Sequence, residues 1–235
     1  MSYILADHLI KTFGAADAAV QAVSDISFRI APGEFIAIMG ESGAGKSTLL
    51  GILGAMNAPS SGRLVVDDID IYRLHSEQLA DFRREYLGFV FQSFHLVAYL
   101  SVIENVMLPL TVTRRSKTEK RAMALEALSR VGLAEKADRL PGEISGGEKE
   151  RVAVARAIVN EPPILLADEP TGNLDSRNSR EIMRMFQCLN EGGMTIIMVT
   201  HSAECAASAR RILQVSDGRL LEDRSVAEAA LKMAS

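Results

Sequence analysis

Eight consecutive residues, Gly40-Glu41-Ser42-Gly43-Ala44-Gly45-Lys46-Ser47, are of the types and spacing that bind a polyphosphate. Glycines let the backbone approach the ligand, and successive N–H groups at a helix start supply partial positive charge. Lys46 adds a full charge near the β- and γ-phosphates, and the Ser47 hydroxyl is a ligand for Mg²⁺. This chemistry needs a strand before the loop and a helix after it. Phe35-Ile36-Ala37-Ile38-Met39 reads as a buried strand, and Thr48 to Leu53 as the first turns of a helix. Gly40 to Thr48 are therefore the expected nucleotide-binding stretch, for a nucleoside triphosphate.

Two further groups complement the loop. The apolar run Ile164 to Ala167 ends in Asp168-Glu169. A carboxylate at the C-terminal end of a parallel strand faces the crevice where open α/β sheets hold ligands, which places Asp168 to hold Mg²⁺. The next side chain points another way, so Glu169 approaches the γ-phosphate and its attacking water. Ser145-Gly146-Gly147-Glu148 has capping-box spacing for a helix running through Val152, Ala155 and Val159. Each glycine costs up to about 1 kcal/mol relative to alanine in a helix interior, which a simple cap does not need. A phosphate seated on bare N–H groups does need it, and the two roles are compatible.

The elements that must position these groups alternate between strand and helix. Ile26-Ser27-Phe28-Arg29-Ile30 has the period of a half-buried strand, Pro32-Gly33 reads as a turn, and Ser61-Gly62 as another before Arg63 to Val66. The first part thus reads as β-rich, with Leu87 to Phe91 a strand covered on both faces. From about Phe94 to Gly142 the pattern is helical; Ser116 and Glu119 form a capping box, Met123, Ala127, Leu128 and Val131 share a face, and Gly132 stops the helix. Ile164 to Ala167 and Thr195 to Val199 read as strands between helices, which implies a parallel sheet. Asp217-Gly218 predicts a hairpin joining Ile212–Val215 to Arg219–Leu221. The tail from Ser225 to Ser235 offers Val226, Ala230 and Met233 for a short helix.

The chain has 235 residues, 48% of them hydrophobic, enough for one large core. A net charge of −4 gives no global reason for nucleic-acid binding, and none is expected. The basic cluster Arg114, Arg115, Lys117, Lys120 and Arg121 reads as a solvated helix face. Cys188 and Cys205 are expected as buried free thiols in a reducing compartment. No leader pattern is visible and no apolar run approaches the ~20 residues of a membrane span, so a soluble, cytoplasmic chain is expected, reaching a membrane through a partner.

The phosphate loop, Gln92, Ile144-Ser145-Gly146-Gly147-Glu148, Asp168-Glu169, Leu174-Asp175 and His201 stand in an order and spacing that resemble the ABC ATPase family, from about Tyr3 to Leu221. The resemblance implies a single domain over 1–235 of α/β P-loop NTPase type, with a mixed-sheet core, an N-terminal antiparallel β part and an inserted helical lobe. The core would comprise 1–93 and 160–225, and the lobe 94–159. It implies ATP and Mg²⁺ as ligands. Gln92 would begin the loop that touches Mg²⁺ and contacts the membrane subunit; Ser145 and Gly147 would bind the γ-phosphate of ATP held by a second copy. Asp175 would cross the dimer interface, and His201 would act on the γ-phosphate. Partners would be a head-to-tail second copy and integral-membrane permease subunits on the cytoplasmic face of the inner membrane.

Leu87 to Leu96, Glu104-Asn105-Val106-Met107-Leu108-Pro109-Leu110 and Thr171-Gly172-Asn173-Leu174-Asp175 further resemble the lipoprotein-release and macrolide-export branch, which implies export or extraction. A regulatory or cell-division ATPase of the same fold is the alternative. Three positions depart from the family: Ile144 for leucine, Phe13 for the commoner tyrosine that stacks on adenine, and Glu150 for glutamine. Glu150 would bring a negative charge close to the second copy's nucleotide.

Overall fold

The strand feeding the glycine-rich loop is buried on both faces, and that fact sets the architecture. In the computed structural model, which describes residues 3–14 and 19–226, this strand is β3 (Phe35–Met39). Phe35 and Ala37 enter one core, Ile36 and Ile38 the other. The same alternation runs through β7 (Ile164–Asp168) and β8 (Thr195–Thr200): Leu165, Ala167, Ile196 and Met198 on one side, Ile164, Leu166, Ile197 and Val199 on the other. Continuous apolar runs of this kind suit parallel strands covered by a layer on each face.

With β6 (Leu87–Phe91), β9 (Arg211–Ser216) and β10 (Arg219–Ser225), these strands form a six-stranded sheet of order β10-β9-β3-β8-β7-β6. All neighbours are parallel except β10, which returns on β9. That return is the predicted Asp217-Gly218 hairpin, with φ of 49° and 73° matching the left-handed turn such hairpins favour.

A four-stranded antiparallel sheet of order β2-β1-β4-β5 is built from β1 (Ile4–Phe13), β2 (Val20–Ile30), β4 (Ser61–Val66) and β5 (Ile69–Asp70). Between it and the larger sheet lies α1 (Lys46–Leu53), whose Leu49, Leu50, Ile52 and Leu53 are buried. Each such side chain contributes about 1.5–3 kcal/mol of burial, so the loop's exit helix is firmly anchored. The opposite face carries α3 (Val102–Met107), α4 (Lys117–Arg130), α5 (Gly146–Ile158) and α6 (Ser176–Glu191). Val102, Ile103, Val106, Ala124, Leu128, Val152, Ile158, Ile182 and Phe186 join that core.

Three expectations change. A helix, α2 (Ser76–Tyr86), interrupts the β-rich first part; only Phe82 on it is buried, so its apolar stripe was too thin to read. Ser61-Gly62 opens β4 instead of forming a turn, and Gly62 (φ 92°) accommodates the register shift between Asp7 and Ile10 on β1. Cys205 is buried but Cys188 is exposed, because it lies off the buried stripe Ile182, Met183, Phe186 and Leu189 of α6. The basic cluster is solvated at the start of α4 apart from the half-buried Lys120, and Arg121 reaches Asp138 at 3.2 Å. Ala230 and Met233 of the expected tail helix lie outside the described residues. Among the described residues no helix is long and apolar enough to cross a membrane.

Candidate functional site

Gly40 to Ser47 turn from the end of β3 into the first residues of α1. The turn closes only with glycine at its tightest points: a Cβ at Gly45 (φ 94°) would lie 2.0 Å from the Ala22 carbonyl oxygen, and one at Gly40 2.1 Å from that of Val215. Glu41, Ser42, Gly43, Gly45, Lys46, Ser47 and Thr48 line a cavity of about 700 Å³. Its remaining wall is Ala22, Gln92, Glu169 and His201. The Lys46 ammonium donates to the Gly40 and Glu41 carbonyls at 2.9 and 2.7 Å, so its charge stays within the loop. Ala44 is buried beneath the loop.

Asp168 ends β7, and Ser47 Oγ donates to its Oδ1 at 3.2 Å. Burial raises the Asp168 carboxyl above the usual aspartate range, the Ser47 hydrogen bond opposing and the Glu169 charge adding to the effect. Glu169 takes a left-handed backbone, φ 47°, its N–H bonded to the Val199 carbonyl at 3.0 Å. Such a conformation costs a non-glycine residue of order 1 kcal/mol. Glu169 Oε1 then lies 2.9 Å from His201 Nδ1. Gln92 follows β6 and packs on Gly172, where a Cβ would come 2.9 Å from its Nε2, while Asn173 Nδ2 donates to its carbonyl at 2.8 Å. Ser47 hydroxyl, Asp168 carboxylate and the Gln92 amide are all oxygen donors. Such a set fits Mg²⁺, which keeps waters and takes phosphate oxygens.

The Ser145–Glu148 segment is absent from the cavity wall. Ser145 caps α5, its Oγ accepting from Glu148 N at 3.3 Å, and Glu148 Oε2 accepts from Ser145 N at 2.9 Å. Lys136 donates to the other oxygen of Glu148 and, with the Ser145 N–H, holds that carboxyl down at about 2. Ser145 and Gly146 are exposed; Gly147 is buried. Asp175 caps α6, accepting from Arg177 N and Asn178 N at 2.9 Å, bonds that lower its carboxyl pKa. The cap of the following helix, α7 (Ala203–Ala206), is Ser202, which leaves His201 free to face the cavity. Phe13 is 46% exposed at the end of β1, with the Lys11 ammonium 5.1 Å from its ring centroid, and does not line the cavity.

Glu150 corrects an expectation. It is 1% exposed, on the core-facing side of α5, and therefore presents no charge to a second molecule. The fifth residue after the cap falls on the face that α5 lays against the core. Residues the sequence did not single out also matter. Ala22 contributes through its backbone and Lys136 through a contact distant in sequence, so neither carries a local signal. Asn178 does carry one, standing three residues after the cap Asp175.

The chain matches the model of the ABC transporter family over residues 23–172. It is 44% identical over 214 residues to the macrolide export ATP-binding/permease protein MacB of Burkholderia pseudomallei (strain 1710b), covering 91% of this chain and 33% of that one. The chain thus spans about a third of the length of that relative. It is 43% identical over 217 residues to the ABC transporter ATP-binding protein YvrO of Bacillus subtilis (strain 168), covering 92% and 95%. Among solved structures it superposes with a TM-score of 0.87 at 38% identity on the dimeric post-hydrolysis state of the ATP-binding cassette MJ0796 bound to ADP and Pi, covering 95% and 98%.

Proposed function

Because this chain belongs to the ABC transporter family, we propose that it is an ATPase whose two copies close head to tail around two ATP molecules and so drive an integral-membrane partner. The observation that carries this is a division of parts: phosphate loop, Gln92, Glu169 and His201 share one cavity, while the exposed helix start Ser145-Gly146 lies outside it. In the head-to-tail pair each completes the other. The likeness to a cassette solved as a dimer with ADP and Pi supports the same reading.

The reaction is attack of water on the γ-phosphorus, giving ADP and phosphate. Glu169 takes the proton of the water or orients it, and His201, held by Glu169 before ATP enters, turns to the γ-phosphate. Lys46 and the loop amides stabilise the developing charge. Ser47, Asp168 and Gln92 would hold Mg²⁺, which would supply further neutralisation of the phosphate charge. Phe13 offers its exposed face to adenine. The segment 94–159 moves as a lobe against the core of 1–93 and 160–225. Beside Gln92, an apolar groove of about 660 Å³ lined by Phe91, His95, Leu108, Pro109 and Arg156 receives a segment of the membrane subunit. Export or extraction is the direction that the resemblance to the macrolide-export relatives favours, and the chain sits on the cytoplasmic face of the membrane through that partner.

Light scattering after size exclusion tests the reading on Glu169→Gln, which is expected to bind ATP and hydrolyse it very slowly. The mass is expected to double from 25.5 kDa on adding Mg-ATP. A protein that stays monomeric at saturating Mg-ATP, while still binding it, overturns the head-to-tail pair.

A further inference from the structure

The two glycines of Ser145-Gly146-Gly147 stand in different surroundings. A Cβ at Gly146 would meet nothing within 4 Å, so its lack of a side chain serves only what approaches from outside. Gly147 is buried, and a Cβ there would lie 2.2 Å from Asn178 Oδ1 and 2.5 Å from Asn178 Cγ. The side chain of Asn178, in the first turn of α6, thus rests directly on the Cα of Gly147. Its other end is fixed as well: Nδ2 donates to Asp175 Oδ2 at 2.6 Å, and the Asn178 N–H donates to Asp175 Oδ1 at 2.9 Å. The amide therefore sits between Asp175 and the start of α5. Arg151 Nη1 to Glu181 Oε2, at 2.8 Å, ties the same two helices one turn further along.

We propose that Asn178 is a positioning residue that locks Asp175 to Gly147 within one protomer, so that both parts offered to the partner copy's ATP move as a single rigid unit. The inference rests on the head-to-tail reading above. It gives the second glycine a cause other than phosphate contact: Gly147 is glycine because Asn178 occupies the space of its side chain. An amide suits this place. Its Nδ2 donates to the Asp175 carboxylate while its oxygen faces the Gly147 backbone, whereas a carboxylate at 178 would set two negative charges side by side. The lock also brings information to the interface: a shift of Asp175 on contact with the partner is passed to the amides of α5 without passing through the cavity.

The test uses the full chain carrying Glu169→Gln, with ATP binding by the monomer and ATP-driven dimerisation measured separately. Asn178→Ala and Asn178→Asp are expected to leave monomer affinity for ATP unchanged, since the phosphate loop is untouched. Both should raise the ATP concentration for half-dimerisation by about tenfold, the scale of a lost charge-assisted hydrogen bond. Gly147→Ala alone should impair dimerisation at least as much. In the double variant Gly147→Ala/Asn178→Ala the added methyl meets only the Cβ of residue 178, at 3.2 Å, a contact that a shift of a few tenths of an ångström relieves, and dimerisation is expected to return close to the level of Asn178→Ala. Monomer ATP binding reports that each variant is folded. A double variant worse than either single one overturns the proposal, because Gly147 would then be required by the phosphate alone. Unchanged dimerisation in Asn178→Ala overturns it too. A Glu169→Gln parent that never dimerises removes the head-to-tail reading and this inference with it.

Discussion

A carboxyl with both oxygens buried and unpartnered is neutral at ordinary pH, and Glu150 is such a group. Burial pushes it up to about 8, with Arg156 pulling weakly the other way. The Arg156 guanidinium is already engaged, donating to the His95 and Phe94 carbonyls at 2.6 and 2.8 Å in the loop that follows Gln92. Folding therefore holds a proton on Glu150 that the unfolded chain releases near its ordinary value of 4.5. The folded state binds more protons between those two values, so stability is greatest below about pH 4.5 as far as this group is concerned. It is lost as pH rises toward about 8. The predicted loss across that window is on the order of a few kcal/mol. Urea titrations of Glu150→Gln, whose amide never ionises, should show a shallower decline from pH 5 to pH 8 than the unmodified chain. Parallel declines would place Glu150 in contact with water or a partner.

At the scale of elements, caps separate structural from functional demands on the same residue. Ser145→Ala removes the cap of α5, and the expected cost is about 1 kcal/mol in chemical denaturation. On the proposed function its effect on ATP-driven dimerisation is larger than that, because the same hydroxyl faces the partner's γ-phosphate. Equal losses in both measurements would leave Ser145 a cap and nothing more. Two caps were legible in the sequence, Ser116 with Glu119 and Ser145 with Glu148, and both are boxes in the structure, whereas the box of Ser101 with Glu104 at the start of α3 went unread. The buried strands β3, β7 and β8 were legible for a related reason, since long apolar runs bounded by turn residues leave little alternative. By contrast α2 fully buries only Phe82, with Leu79 and Tyr86 half-buried beside it and the Gln78 side chain accepting from His75 N, too little pattern to register. The placement of Asp168 and Glu169 at a strand end and of Gly40 to Ser47 between strand and helix was legible because strand ends and glycine spacing are local. Asn178 against Gly147 and Lys136 against Glu148 were not, because they depend on how α5 sits on its neighbours.

On the proposed function the whole molecule presents two incomplete halves of a site, the cavity and the helix start outside it, and that arrangement makes a sharp demand on mixtures. Lys46→Ala disables the phosphate loop of its own chain, and Ser145→Arg blocks the helix start it offers to a partner. Each variant alone forms only defective sites and is expected to be inactive. In a mixed pair, the intact loop of the Ser145→Arg copy faces the intact helix start of the Lys46→Ala copy, and one complete site results. Half of randomly formed pairs are mixed and each holds one good site of two, so equimolar mixing should restore about a quarter of the unmodified rate. The control is a mixture of the unmodified chain with a copy carrying both substitutions, in which no mixed pair has a whole site. If loop and helix start of the same chain worked together instead, the two single variants would give nothing beyond their separate rates. The doubly substituted copy would then leave the unmodified chain's own activity unaltered, and the site would have to be rebuilt within one protomer.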